Sequence, residues 1–199
     1  MTGDSAPINL TNHFLIAMPG LVDAIFTKSV VYVCEHTARG ALGLVINKPA
    51  DFNMAALFAK VDLPLKRADL TENPVFLGGP MQGERGFVLH ERSIAMEDGP
   101  VQSLFASTMK IPGGLEMTTS KDVLDALSDG AGPQKVLISL GYSSWGEGQL
   151  EAELGANSWL TVDADQSVIF DTPVDQRYDK ALALLGLQAW MISSQVGHA

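Results

Sequence analysis

The sequence is poor in cysteine and in basic residues, and each shortage argues against a class of protein. Cys34 is the single cysteine among 199 residues, so no internal disulfide can form and a reducing compartment is expected. Thirteen Lys and Arg against 23 Asp and Glu give a net charge of -10, which repels phosphate backbones and anionic lipid surfaces. We therefore expect no direct contact with nucleic acid and no association with a membrane.

Long hydrophobic runs are also missing. No apolar run approaches the roughly 18 residues of a membrane-spanning helix, and residues 1–7 lack the basic start and apolar core of a signal peptide. The composition is nevertheless 46% hydrophobic, with 19 glycines and 10 prolines, as is typical of a compact, turn-rich globule. A cytoplasmic protein with a sizeable core is predicted, with residues 1–11 as a flexible lead-in.

Short apolar runs separated by turn residues predict strands and hairpins. Residues 13–18 form one such run, which Pro19 and Gly20 end. Three hairpins are predicted from pairs of runs: 29–36 with 41–47, 75–77 with 86–90, and 158–162 with 168–170. The first is the best defined, because its loop ends in Gly40. Residues 91–114 are the least readable part of the chain.

Three segments have the signals of helices. Residues 53–59 begin with Asn53 as a possible cap, and residues 119–127 begin with a variant capping box, Thr119 followed by Asp122. The third follows Thr172 and Pro173, with one apolar stripe made of Val174, Tyr178, Ala181, Leu182 and Leu185. Hairpins with helices inserted irregularly predict an α+β fold with a mixed, mostly antiparallel sheet, as one domain over residues 1–199.

The stretch from residue 135 to residue 155 contains the candidate site. Its aliphatic run, residues 136–140, predicts a strand buried on both faces, and three glycines then predict a turn before a helix. Four side chains at this turn are candidates for binding a ligand or a partner: Tyr142, Trp145, Gln149 and Glu151. A purely structural role is equally open, in which Trp145 fills the core and the two polar side chains satisfy the start of the helix.

Three further candidates for ligand or partner binding are His36, His90 and Asn47. His36 follows Glu35 and His90 precedes Glu91, so four ligands would converge if the two strands were neighbours. The spacing matches no zinc signature. We therefore expect no metal and no cofactor.

Phosphate-binding and nucleophile motifs are incomplete. The glycines at 78–80 and 141–148 lack a Walker lysine and the dinucleotide spacing, and Glu147 and Glu151 beside the second group disfavour an anion. The serines at 139, 143 and 144 lack the Gly-x-Ser-x-Gly order of a nucleophile elbow. Nucleotide binding and serine hydrolysis are both disfavoured.

Five motifs in order resemble the bacterial YqgE/AlgH family. They are His-Phe-Leu-Ile-Ala-Met-Pro-Gly at 13–20, Gly-Ala-Leu-Gly-Leu-Val-Ile-Asn-Lys-Pro at 40–49, Gly-Gly-Pro at 78–80, Arg-Gly-Phe-Val-Leu-His at 85–90, and Gly-Tyr-Ser-Ser-Trp-Gly-Glu-Gly-Gln-Leu-Glu at 141–151. The resemblance implies a single α+β domain whose branching sheet folds into a pseudo-barrel with helices around it. One branch of the family is named as a regulator of transcription in alginate production, which need not mean DNA contact.

The sequence departs from the family pattern at two places in the last motif. Ser143 and Ser144 stand where the family has Ala-Gly, and Glu147 stands where it has a small residue or proline.

Two functional classes remain open for this protein. We favour a non-catalytic regulatory or interaction protein with an unknown partner; the alternative is an unrecognised enzyme or small-molecule binder using a pocket at residues 141–151.

Overall fold

A computed structural model describes residues 7–92 and 103–192. A ten-stranded sheet runs through these parts of the chain. Its strands are β1 (His13–Ala17), β2 (Val30–Thr37), β3 (Gly40–Val45), β4 (Pro49–Asn53), β5 (Pro74–Leu77), β6 (Met81–Glu91), β7 (Thr108–Ile111), β8 (Leu115–Thr118), β9 (Val136–Gly146) and β10 (Trp159–Asp163). The helices are α1 (Met54–Lys60), α2 (Asp122–Ser128), α3 (Gln149–Gly155), α4 (Gln166–Phe170) and α5 (Arg177–Ala183), with 3-10 turns at Ala68–Leu70, Val174–Gln176 and Ala189–Met191.

The sheet branches at β9. Its main path runs in the order β10-β1-β2-β3-β9-β6-β8-β7, and β6 follows one edge of β9 in antiparallel register. The other edge is shared, because β5 pairs with it in parallel at Ser139 and Leu140 while β3 pairs antiparallel from Ser143 to Gly146. The result is a curled half-barrel with five helices around it, so the predicted single-domain α+β fold is confirmed.

The predicted glycine loop after residue 140 is wrong. Strand β9 continues to Gly146, and the turn is confined to the residues just before α3. Gly141 keeps the strand continuous with a φ of +72°, and a Cβ there would lie 2.7 Å from the carbonyl oxygen of Gly79. The connection from β5 to β6 therefore crosses β9 at backbone contact, which only glycine permits.

Two of the three predicted hairpins are also wrong. Strands β5 and β6 both pair with β9, on opposite edges, and not with each other. Residues 168–170 belong to α4, because the Asp165 side chain accepts the amide hydrogen of Ser167 at 2.8 Å and caps a helix. The first hairpin, β2 with β3, is confirmed with Thr37 opposite Gly40.

The helix predictions are partly correct. Asn53 caps α1 as predicted, accepting from the amide of Ala56 at 3.0 Å. The Thr119 capping box is wrong, since α2 begins at Asp122 and that carboxylate accepts instead from Ser120 and from the amide of Ala106. The last helix ends at Ala183, so Leu185, predicted on its apolar stripe, lies beyond it and is 37% exposed.

Residues before β1 are tied to the sheet from Leu10 onward. Leu10 is buried, its amide donates to His36 Nδ1 at 3.1 Å, and Thr11 Oγ1 accepts from the His36 amide at 2.9 Å. The flexible lead-in expected over residues 1–11 thus does not extend to Leu10 and Thr11, and residues 1–6 lie outside the described residues. Within the poorly readable segment 91–114, residues 108–111 form β7, which pairs with β8 just beyond that segment, and residues 93–102 also lie outside the described residues.

Three apolar clusters fill the fold. The largest lines the inside of the curled sheet beneath α4 and α5 and includes Cys34, which is buried as a structural thiol. A second joins Trp145 and Trp159 to β1 and β2, and a third lies under α1 and α2. None of the helices in the described residues is long and apolar enough to cross a membrane.

Candidate functional site

Helix α3 connects most of the predicted site residues. It begins directly after the turn that follows β9, and Gly148, at a φ of +72°, is its N-cap residue. The helix packs beside β3, β9 and β10. Two carboxylates on α3 then meet the sheet at different places. Glu151 reaches His36 on β2, and Glu153 reaches two tryptophans.

The His36 ring is fixed at both nitrogens. Nδ1 accepts the amide hydrogen of Leu10, so the neutral ring carries its proton on Nε2, which donates to Glu151 Oε1 at 2.8 Å. The His36 side chain is 2% exposed and that of Glu151 is 44% exposed. The backbone amide of Glu151, followed by the bond from His36, lowers the pKa of the Glu151 carboxyl. The ionised Glu151 carboxylate therefore accepts the Nε2 proton of His36, and the other ring nitrogen of His36 is already hydrogen-bonded.

Glu153 is the acceptor for two buried tryptophans. Its Oε2 accepts from Trp145 Nε1 at 2.9 Å and from Trp159 Nε1 at 2.8 Å, while Oε1 accepts from Gln149 at 3.1 Å. The indole rings lie edge to face, 6.1 Å apart, and Phe26 completes the cluster at 5.6 Å from Trp159. Each tryptophan is only 5% exposed, so this part of the predicted site is a packed core with satisfied polar atoms.

The side of β9 that carries Tyr142 and Ser144 is partly open to solvent. Tyr142 is half-buried there, with its ring 5.2 Å from that of Phe87, and Ser144 is exposed. A depression of about 420 Å³ lies beside them. We call it the β3–β9 face, and its lining residues are Glu35, Thr37, Arg39, Gly40, Ala41, Leu42, Tyr142, Ser144 and Trp145.

His90 lies apart from the other candidates. Strand β6, which carries it, is separated from β2 by β3 and β9, so His36 and His90 do not converge. His90 Nδ1 donates to the carbonyl of Glu91 at 2.8 Å, and Nε2 accepts from the Thr118 hydroxyl at 2.8 Å. Burial lowers the pKa of His90. Among residues 7–92 and 103–192, no three His, Cys, Asp or Glu residues form a group that suits a metal ion.

The side chains of Asn47 and Ser143 also form hydrogen bonds with backbone groups. Asn47 accepts from the amide of Val30 at 2.8 Å and donates to the carbonyl of Lys28 at 2.8 Å. Ser143 donates to the carbonyl of Gly78 at 3.0 Å. The structure thus groups five predicted residues around α3 and the end of β9, namely Tyr142, Trp145, Gln149, Glu151 and His36, and leaves Asn47 and His90 elsewhere.

The sequence analysis missed two polar features of the structure. One is the pairing of Glu153 with Trp145 and Trp159; the four-residue spacing of Gln149 and Glu153 could have suggested only their contact with each other. The other is Arg177, which is 6% exposed. It stands three residues after Val174 and four before Ala181, so it occupies a position on the apolar stripe itself.

In the described residues, a branched half-barrel sheet with five helices around it, which holds His36 and His90 buried in internal hydrogen bonds, defines the chain as a single-domain α+β protein. Residues 14–190 match the AlgH-like family, DUF179, and the chain belongs to that family. It is 70% identical to a UPF0301 protein of Albidiferax ferrireducens and 72% identical to one of Polaromonas sp., in each case over all of both chains. The expectation from the sequence motifs is confirmed.

Two solved structures are similar. The solution structure of the AlgH protein from Pseudomonas aeruginosa has a TM-score of 0.73 at 44% identity, over 98% of each chain. The crystal structure of a Corynebacterium diphtheriae protein has a TM-score of 0.71 at 16% identity, over 96% of this chain and 94% of that one. The second likeness bears on the fold alone.

Proposed function

We propose that this protein is a non-catalytic regulatory or interaction protein of the cytoplasm, which binds a protein partner through the β3–β9 face. The observation that carries the proposal is the direction of the site's side chains. The acid–base groups, His36 and Glu151, are committed to each other, whereas Tyr142 and Ser144 border an open depression. An effect on transcription would pass through the partner, because a net charge of -10 opposes contact with DNA.

The composition of the face fits a polypeptide better than a small molecule. Glu35 and Arg39 supply opposite charges, Leu42 and Tyr142 supply apolar surface that is partly buried in the core, and Ser144 lies between them. A charged rim around a partly apolar centre is the usual anatomy of a protein interface. The alternative, a small-molecule site at residues 141–151, has less support, because that segment is mostly paired strand and helix rather than a loop.

The proposal is tested by adding a charge to the face. Ser144 is exposed on β9, so Ser144→Arg should leave the free energy of unfolding within about 0.5 kcal/mol of wild type. A charged side chain placed in the contact should nevertheless prevent docking. We therefore expect Ser144→Arg to fail to restore the RNA profile of a strain that lacks the gene.

Ala183→Arg is the matched control. It adds the same charge at an exposed position on α5, away from the β3–β9 face, and should restore the profile fully. Restoration by both variants would contradict the proposed face. Loss in both would show that the added charge, and not the position, is responsible.

A further inference from the structure

A second cavity lies at the other half of β9. Its volume is about 300 Å³, and it is a partly open cavity lined by the beginning of β9, by β5, and by the segment from the end of α4 to the start of α5. The lining is mixed: Asn73, Asp171, Thr172 and Arg177 supply polar surface, and Phe76, Leu137 and Val174 are among its apolar residues. This volume is at the lower end of the range for small-molecule sites.

Two charged residues line this cavity, Asp171 and Arg177, and Arg177 is the buried one. Its Nε donates to the carbonyl of Thr172 at 3.0 Å, and Nη1 donates to the carbonyl of Ile46. The guanidinium carbon lies 4.9 Å from the centre of the Phe76 ring. Within the described residues no hydrogen bond is made by Nη2, so both of its hydrogens remain available.

No carboxylate balances the charge of Arg177 among residues 7–92 and 103–192. Asp171 lines the same cavity, but its Oδ2 pairs with Lys135 Nζ at 3.0 Å. Burial lowers the pKa of Arg177 to about 10, which leaves the side chain charged at neutral pH. A buried charge without a counter-ion is costly, and such groups are normally paired.

We propose that this cavity binds a small organic carboxylate, whose anionic end is held by Arg177 and whose apolar body rests on Phe76, Leu137 and Val174. A planar guanidinium with free hydrogens matches the geometry of a carboxylate. One negative charge balances one positive charge. A phosphate dianion would bring a second negative charge beside Asp171. This site is separate from the β3–β9 face and does not depend on the function proposed there.

Benzoate is a suitable probe, because it joins a planar carboxylate to an apolar ring. In a titration followed by backbone amide NMR, we expect benzoate at millimolar concentrations to shift the amides of Asn73, Thr172 and Val174, which border the cavity. Benzamide, which has the same shape without the charge, should bind at least about tenfold more weakly, since it loses a charge-assisted hydrogen bond. Inorganic phosphate should not shift these amides.

Two variants separate the role of Arg177 from general stability. Arg177→Gln should weaken benzoate binding about tenfold or more. Arg67→Gln is the matched control, because Arg67 also donates to backbone carbonyls but has a carboxylate partner in Asp69; it should bind benzoate like wild type. If Arg177→Gln does not fold, Val174→Phe fills the cavity and should abolish the shifts.

Four results would overturn the proposal. They are no benzoate shifts at these amides in the wild-type protein, equal affinity for benzoate and benzamide, wild-type binding of benzoate by Arg177→Gln or Val174→Phe, and tighter binding of phosphate than of benzoate.

Discussion

Substitution of two neighbouring residues on β9 should change the free energy of unfolding by very different amounts. Trp145 is 5% exposed and belongs to the second apolar cluster, whereas Ser144 is exposed on the other side of the strand. We expect Trp145→Ala to lower the free energy of unfolding by about 3–5 kcal/mol, the usual cost of truncating a buried aromatic side chain. Ser144→Arg should change it by no more than about 0.5 kcal/mol.

The expected loss at Trp145 has identifiable parts. Truncation removes ring contacts to Phe26 at 6.2 Å and to Trp159 at 6.1 Å, each worth about 0.5–1.5 kcal/mol beyond buried area. It also removes the indole donor to Glu153 at 2.9 Å. Trp145→Phe keeps an aromatic ring and loses that donor, so we expect an intermediate cost of about 1.5 kcal/mol.

Urea denaturation of the three variants beside wild type measures these values, provided that the denaturant dependence is unchanged. A loss below about 1 kcal/mol for Trp145→Ala would refute the assignment of Trp145 to the core. It would restore the alternative that this side chain faces a ligand. A loss above about 1 kcal/mol for Ser144→Arg would show that position 144 is not a free surface.

Three further outcomes are expected. Burial lowers the pKa of His90 below its ordinary value of 6.5, so below pH 6.5 the unfolded chain binds more protons than the folded one. The free energy of unfolding should therefore fall as the pH drops from 6.5 toward the folded-state pKa of His90. In unfolding curves from pH 7.5 to 5, this pH dependence should be weaker in His90→Gln. Gly79→Ala should lower the free energy of unfolding in urea by at least about 2 kcal/mol, because the φ of Gly79 is +154° and a Cβ would lie 2.3 Å from the Tyr142 carbonyl. Gly83→Ala is the control, since a Cβ at position 83 would meet nothing within 4 Å, and it should leave the free energy of unfolding unchanged. Salt-resistant binding of duplex DNA below about micromolar in a gel shift would contradict the expected absence of specific DNA contact.

The parts of the fold that the sequence predicts are those encoded by neighbouring residues. The β2–β3 hairpin follows from a short loop ending in Gly40, and the start of α1 follows from Asn53. The errors concern pairing at long range. Nothing local distinguishes a glycine that ends a strand from Gly141, which lets β9 continue because another part of the backbone, at Gly79, needs the space of its missing side chain.

The candidate site shows the same division. Proximity along the chain correctly groups Tyr142, Trp145, Gln149 and Glu151, but the partners of Tyr142 and Glu151, Phe87 and His36, are remote in sequence. His36 is 115 residues from Glu151, and their contact depends on where the sheet places β2 beside α3. Buried polar residues such as Arg177 are hidden for a related reason, because a charged residue on an apolar stripe is read as exposed unless the cavity around it is known.

The central claim is that a protein partner docks on the β3–β9 face, and cross-linking in living cells tests it most directly. A photoreactive phenylalanine analogue placed at position 144 should give a discrete adduct of higher mass after irradiation, because this exposed position borders the depression. The same analogue at position 183, exposed on α5, should give no such adduct. The absence of a protein adduct from position 144, or an identical adduct from both positions, would contradict the claim.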